Sequence, residues 1–207
     1  MSKENLKITI VGIGSGAQNV IDYLSLNNQS KNINFAVINS DENILNLAKT
    51  KNKLLIHGEE ETFYGLGCGG NVTTGKQYAE FCINKIESLF SDTDIAVLIS
   101  CFGGGCGTGA TPVIAQMLKN KDVKTIAIVS KPFDYEGECR KECTALGIEK
   151  IKNFVDKLIL TDNQDLMSTL PEDITLKEGW NYANKKIAEL LEKEIAELVW
   201  IQNYQHV

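Results

Sequence analysis

The chain has 207 residues, 43% of them hydrophobic and 23% charged, with a net charge of −6. That composition fits one well-buried core, or one core with a small appendage. The acidic balance argues against a broad nucleic-acid footprint and gives no attraction to anionic lipid, so neither nucleic acid nor a membrane is expected as a direct partner.

Lys3, Glu4 and Lys7 interrupt the N-terminus before the first apolar run, and no apolar stretch nears the ~20 residues that span a bilayer; a soluble protein without a signal peptide is expected. Residues 7–11 then read as a first strand, followed at once by "GIGSG" at 12–16 and a helix to about Leu24. A second strand, 34–38, ends in Asn39-Ser40-Asp41, where Ser40 and Asp41 can cap a helix over about 42–49. Residues 53–57 form a third strand, a glycine-rich loop covers 65–75, and a long helix is predicted over about 76–90. Strand 94–99 runs into "SCFGGGCGTGATP", with five glycines between 103 and 109, and a helix from Pro112 to about 120. A strand at 124–130, a helix at about 138–154, a strand at 157–160 and a helix from about 176 to 200 complete the pattern.

Apolar strands alternating with helices predict an α/β fold: a three-layer, doubly wound, mostly parallel sheet with a long C-terminal helix. Residues 1–175 are expected to form one α/β unit, and 176–207 a helix packed on it. Six cysteines with no CxxC pair, and only two histidines, argue against zinc and for free thiols in a reducing cytoplasm. Cys139 and Cys143, one helical turn apart, are expected to be packing neighbours rather than a redox pair.

In such a sheet, ligands bind at the carboxyl ends of the strands. The loops predicted there, 12–16, 39–41, 65–71 and 103–109, are all rich in Gly, Asn or Asp. Glycine lets main-chain N–H groups approach an anion, and a helix N-terminus adds a favourable dipole. A phosphate ligand is therefore expected. Two common signatures fit poorly. The dinucleotide fingerprint wants glycine at 17 and an acid at the end of the second strand, where Ala17 and Asn39 stand. "GNVTTGK" at 70–76 resembles a P-loop, but Gln77 lacks the hydroxyl for Mg²⁺ and no strand leads into it, so Lys76 is expected in the first turn of a helix.

"GGGCGTG" at 103–109 closely resembles the GGGTGTG signature of the FtsZ/tubulin family of GTP-binding filament proteins. "VGIGSGAQN", "NSDENIL" and "GLGCGGNVTTGK" are similar to the family's first three nucleotide loops, and "KPFDYEGECR", "LTDNQDL" and "GWNYANKK" to its later segments. The resemblance implies a GTP or GDP site, with Mg²⁺ accompanying the nucleotide. Its loops would use Gly14, Ser15, Gly16, Asn19, Asp41, Cys68, Gly69 and Gly70, then Gly103, Gly104, Gly105, Cys106, Gly107 and Thr108. Glu136 and Arg140 would touch ribose and base, Asn163 the base, and Trp180 and Asn184 the face and edge of guanine. Arg140 is the chain's only arginine, which suits a planar fork that lysine cannot imitate. Trp180 and Asn184 are i and i+4 on one helix face; Trp180 shares that face with Ile187 and Leu191, so a core position is the competing reading.

The sequence departs from the family pattern at Cys106, where a thiol replaces a threonine hydroxyl and is a poorer ligand for a hard cation. The γ-phosphate is therefore expected to rest mainly on main-chain amides of 103–109 and 68–71. In the family an acidic loop beyond the long helix completes the neighbouring subunit's site. Here the sequence ends at "LVWIQNYQHV", and the charged outer side of the last helix favours a natural single-domain form. The expectation is a cytoplasmic guanine-nucleotide-binding protein that assembles with itself or with full-length FtsZ, its hydrolysis dependent on that loop. No catalytic residue is assigned. A self-sufficient GTP hydrolase using Asp41 or Asp165, and an NAD-dependent oxidoreductase, are the alternatives.

Overall fold

The computed structural model describes residues 6–27, 32–59, 64–167 and 174–204, the last eight of these as helical backbone only. Lys3 and Glu4, and the side chains of Trp200, Ile201 and Tyr204, lie outside the described residues. Six strands, β1 (Ile8–Ile13), β2 (Ile33–Asn39), β3 (Asn52–Leu55), β4 (Ile95–Cys101), β5 (Lys124–Lys131) and β6 (Lys157–Asp162), form one sheet in the order β3-β2-β1-β4-β5-β6. Every neighbouring pair is parallel. The order reverses between β1 and β4, which opens a crevice at their carboxyl ends. β1 and the first six residues of β4 are buried throughout, as strands covered on both faces must be.

Two apolar layers cover the sheet. On one side α1 (Ser15–Asn27) and α8 (Leu176–Tyr204) bring Val20, Ile21, Leu24, Ile187, Ala188 and Leu191 onto Ile8, Ile10, Val97 and Ile99. On the other, α3 (Val72–Phe81), α4 (Ile83–Ser88) and α5 (Gly105–Asn120) pack Ala79, Ile86, Ile114 and Leu118 against Val11, Leu98 and Val129. Each fully buried Ile, Leu or Phe contributes about 1.5–3 kcal/mol. α2 (Glu42–Asn46), α6 (Glu138–Ile151) and α7 (Asn163–Met167) complete the chain. No helix among the described residues is long and apolar enough to cross a membrane.

Three elements differ from expectation. The helix expected from Pro112 begins at Gly105, which places Pro112 inside it. The single helix expected over 76–90 is two, α3 and α4, parted at Cys82, and α3 starts at Val72 under an Asn71 cap that accepts from the Thr73 and Thr74 amides. Both early starts have one cause, the close crossing of α3 over α5. A Cβ on Gly75 would overlap the Gly105 carbonyl oxygen, and one on Gly109 the Val72 carbonyl oxygen. These positions, which locally read as loop, must be glycine because another helix occupies the space a side chain would need.

Candidate functional site

The carboxyl ends of the strands open into a cleft of about 590 Å³. One wall comes from the turn after β1 and the end of β2. Gly14 donates its N–H to Ile38 O (2.9 Å), and Asn39 reaches back through Nδ2 to Ser15 Oγ (3.2 Å). Asp41 Oδ1 accepts from the Ile44 N–H (3.0 Å) and so caps α2, as its position in the sequence predicts. The floor is the loop before α3, where Gly69 and Gly70 take φ of +54° and +78° and a Cβ at either would meet nothing within 4 Å. Both glycines line the cleft.

Opposite stands the N-terminus of α5. Gly104 caps it without a side-chain bond. The first amides of a helix have no acceptor inside it, and together with the helix dipole they make an anion-binding end. The loop before it is held from within: Gly103, at φ +106°, donates its N–H to Thr108 Oγ1 (2.8 Å), and Thr108 is only 1% exposed. Gly103 and Thr108 thus shape the turn from behind, and neither lines the cleft. The other seventeen residues expected at the site do line it: Gly14, Ser15, Gly16, Asn19, Asp41, Cys68, Gly69, Gly70, Gly104, Gly105, Cys106, Gly107, Glu136, Arg140, Asn163, Trp180 and Asn184.

The remaining polar groups of the cleft are different in kind. Glu136 accepts from the Phe133 N–H through Oε1 (2.9 Å) and pairs through Oε2 with Arg140 Nη1 (2.7 Å), so the carboxylate sets the guanidinium at the rim. Asn163 begins α7, and its Oδ1 is buried without a hydrogen-bond partner. Trp180 and Asn184 come from α8. Trp180 is 51% exposed, whereas Ala183, Ile187 and Leu191 on the same helix are buried. The competing core reading of Trp180 is therefore wrong: the apolar stripe sinks into the core one turn later. Burial pushes the pKa of the neighbouring Tyr135 phenol up.

The P-loop reading of 70–76 fails on geometry. Gly75 is spent on the helix crossing, and Lys76 pairs with Glu80 (3.5 Å) instead of facing the cleft. Ser40 and Leu66, within two of the expected loops, and Cys101, Ser130 and Lys131, outside them, also line the cleft and were not named as site residues. Ser40 is legible only as a polar residue between Asn39 and the capping Asp41; Cys101 and Ser130 sit at strand ends, where burial conceals their role. Burial raises the pKa of the Cys101 thiol.

A singly reversed parallel sheet, with glycine turns and helix N-termini meeting at its carboxyl edge, defines an α/β protein of the nucleotide-binding kind. The family model "Tubulin/FtsZ family, GTPase domain" matches residues 7–171, and the chain belongs to that family. It is similar to "Cell division protein FtsZ" of Coxiella burnetii, 33% identical over 183 residues, covering 88% of this chain and 47% of that protein. The FtsZ of Buchnera aphidicola is 33% identical over 195 residues, covering 94% and 50%. Among solved structures, an empty FtsZ dimer of M. jannaschii superposes with a TM-score of 0.83 at 31% identity, over 90% of this chain and 53% of that one. CetZ2 of Haloferax volcanii, solved as a GTPγS-bound protofilament, shares the fold with a TM-score of 0.79 at 20% identity, over 89% and 56%. The chain spans about half the length of the relatives it matches.

Proposed function

We propose that the cleft binds GTP or GDP and that the protein acts, in the cytoplasm, through assembly with itself or with a full-length FtsZ-like subunit. The observation that carries this reading is that a half-exposed Trp180 and the buried, unpartnered Asn163 Oδ1 line the same cleft as the glycine turns. A purine would stack on the indole, and the N1–H and N2–H₂ of guanine would supply the donors that Asn163 and Asn184 can accept. Arg140 and Glu136 would address the ribose and base. The polyphosphate would lie against the amides of Gly69, Gly70 and 104–107. Residues 1–175 would form the binding unit, with the helix of 176–207 closing it.

Mg²⁺ would accompany the nucleotide and neutralise phosphate charge. The residues present fit that arrangement better than a protein-built metal site, since Thr108 Oγ1 is turned to Gly103 and Asp41 Oδ1 to Ile44. Hydrolysis is assigned to an acidic loop brought by another subunit. The cleft-lining carboxylates among the described residues, Asp41 and Glu136, are already a helix cap and an arginine partner. Asp165 stands on α7 outside the cleft lining, which leaves the self-sufficient hydrolase with little support. The dinucleotide reading gives way to family membership.

Titration of GDP with Mg²⁺ tests the proposal. Binding is expected to raise the melting temperature, and Trp180→Ala to weaken it by about 1–3 kcal/mol, the range of base–aromatic stacking. Unaltered GDP affinity in that variant, or protection by NAD and not by GDP, would overturn the reading.

A further inference from the structure

The glycine-turn end of the cleft carries two thiols on facing elements. Cys68 belongs to the loop before α3 and Cys106 to the first turn of α5, and both line the cleft. The two backbones are in contact here: a Cβ at Gly105 would come within 2.7 Å of the Cys68 Cβ. Cys68 Sγ donates to Ser40 Oγ at 3.1 Å, and the ionisation of Cys68 and that of Cys106 are tied to one another. The two thiols are therefore neighbours at the contact between the Cys68 loop and α5. Their mutual hydrogen bond lowers the Cys68 pKa to about 7 and pushes that of Cys106 up, so that one proton serves the pair.

The remaining thiols are placed differently. Cys82 bonds the His57 main chain, Cys101 is half-buried at the end of β4, and Cys139 and Cys143 lie on the outer surface of α6. Among the described residues, no three His, Cys, Asp or Glu side chains converge to hold a metal ion. The chemistry open to Cys68 and Cys106 is therefore thiol chemistry.

We propose that Cys68 and Cys106 form a modification site, a thiol pair that becomes a disulfide by exchange with a low-molecular-weight disulfide such as oxidised glutathione, and that this link and a nucleotide polyphosphate exclude one another. The exclusion rests on the guanine-nucleotide reading above; the thiol pair does not. Cys68 thiolate attacks one sulfur of the small disulfide, forming a mixed disulfide and releasing one thiolate, which takes the proton Cys68 gave up. Cys106 loses its proton and attacks the Cys68 sulfur, and the second small thiolate leaves and takes that proton. Two protein thiols are oxidised by two electrons and one small disulfide is reduced to two thiols. Sulfurs in a disulfide sit about 2.05 Å apart. That is closer than a thiol–thiol hydrogen bond, so the link draws the first turn of α5 toward the Cys68 loop across the space the phosphates would take.

The test treats the purified chain with oxidised glutathione and reads intact mass, non-reducing peptide maps and GDP binding. Expected are a chain lighter by two hydrogens, a cross-linked peptide joining Cys68 to Cys106, and GDP binding weaker by roughly tenfold or more, restored by dithiothreitol. Cys106→Ser should stop at a glutathione adduct on Cys68, and Cys139→Ser should link as the parent does. Cys68 and Cys106 remaining alkylatable, or a link confined to other cysteines, would overturn the site. A linked chain that binds GDP as tightly as the reduced one would overturn the exclusion. Normal linkage in a chain that binds no GDP even when reduced would overturn the nucleotide reading alone.

Discussion

Among single residues the cleft depends most on groups that are already committed. Glu136 divides its two oxygens between the Phe133 amide and Arg140, so the arginine's planar fork is aimed before any ligand arrives, and the ordering cost falls on folding instead of binding. Cys68 is committed in another sense. A thiol whose pKa is lowered to about 7 by its hydrogen bond with Cys106 has its anion favoured by the fold, so the thiolate fills in from about pH 7 upward, well below the ordinary thiol range. Alkylation follows the thiolate. Its rate at Cys68, read by mass spectrometry with iodoacetamide, should reach half its maximum near pH 7 in the parent chain and shift upward in Cys106→Ala. A parent midpoint in the ordinary thiol range would show that the pair does not share its proton.

At the level of elements, the crossing of α3 over α5 gives the sharpest expectation. Alanine normally exceeds glycine in a helix by up to about 1 kcal/mol. In Gly75→Ala the new methyl would meet the Gly105 carbonyl oxygen, and overpacking of this kind costs about 1–3 kcal/mol. The variant should lose stability, seen as a lower urea midpoint; a gain would mean that the helices stand further apart. The same crossing explains what the sequence conveys and what it withholds. Strands were readable because β1, β4 and β5 are dominated by apolar, mostly β-branched residues, and α2 because Asp41 sits where a cap belongs. The starts of α3 and α5 were not, because the glycines at 75, 105 and 109 carry no helical signal of their own and take their conformation from a distant segment. The break at Cys82 was hidden for a similar reason, since its thiol turns to the His57 main chain. In the cleft, residue type located Asp41, whereas the family resemblance placed Asn163 and Trp180, and nothing local separates Thr108, which braces the loop from behind, from its neighbours that line the cleft.

On the scale of the molecule, family membership and a shared fold lead to an expectation about assembly. Mixed with a full-length FtsZ and GTP, the chain should dock by its cleft face and reduce the mass of polymer recovered by sedimentation, and Trp180→Ala should do so less. No change in the pellet at any ratio would remove FtsZ from the list of partners. The lone arginine has a further consequence. A protease that cleaves only after arginine has a single target in all 207 residues, the bond between Arg140 and Lys141. That bond lies within the first turn of α6, so cutting it demands that the turn open. The cut would separate the segment bearing β1 to β5 from the one carrying Asn163, Trp180 and Asn184. One scissile bond at the rim thus makes the chain its own gauge of how firmly the two sides of the cleft are held together.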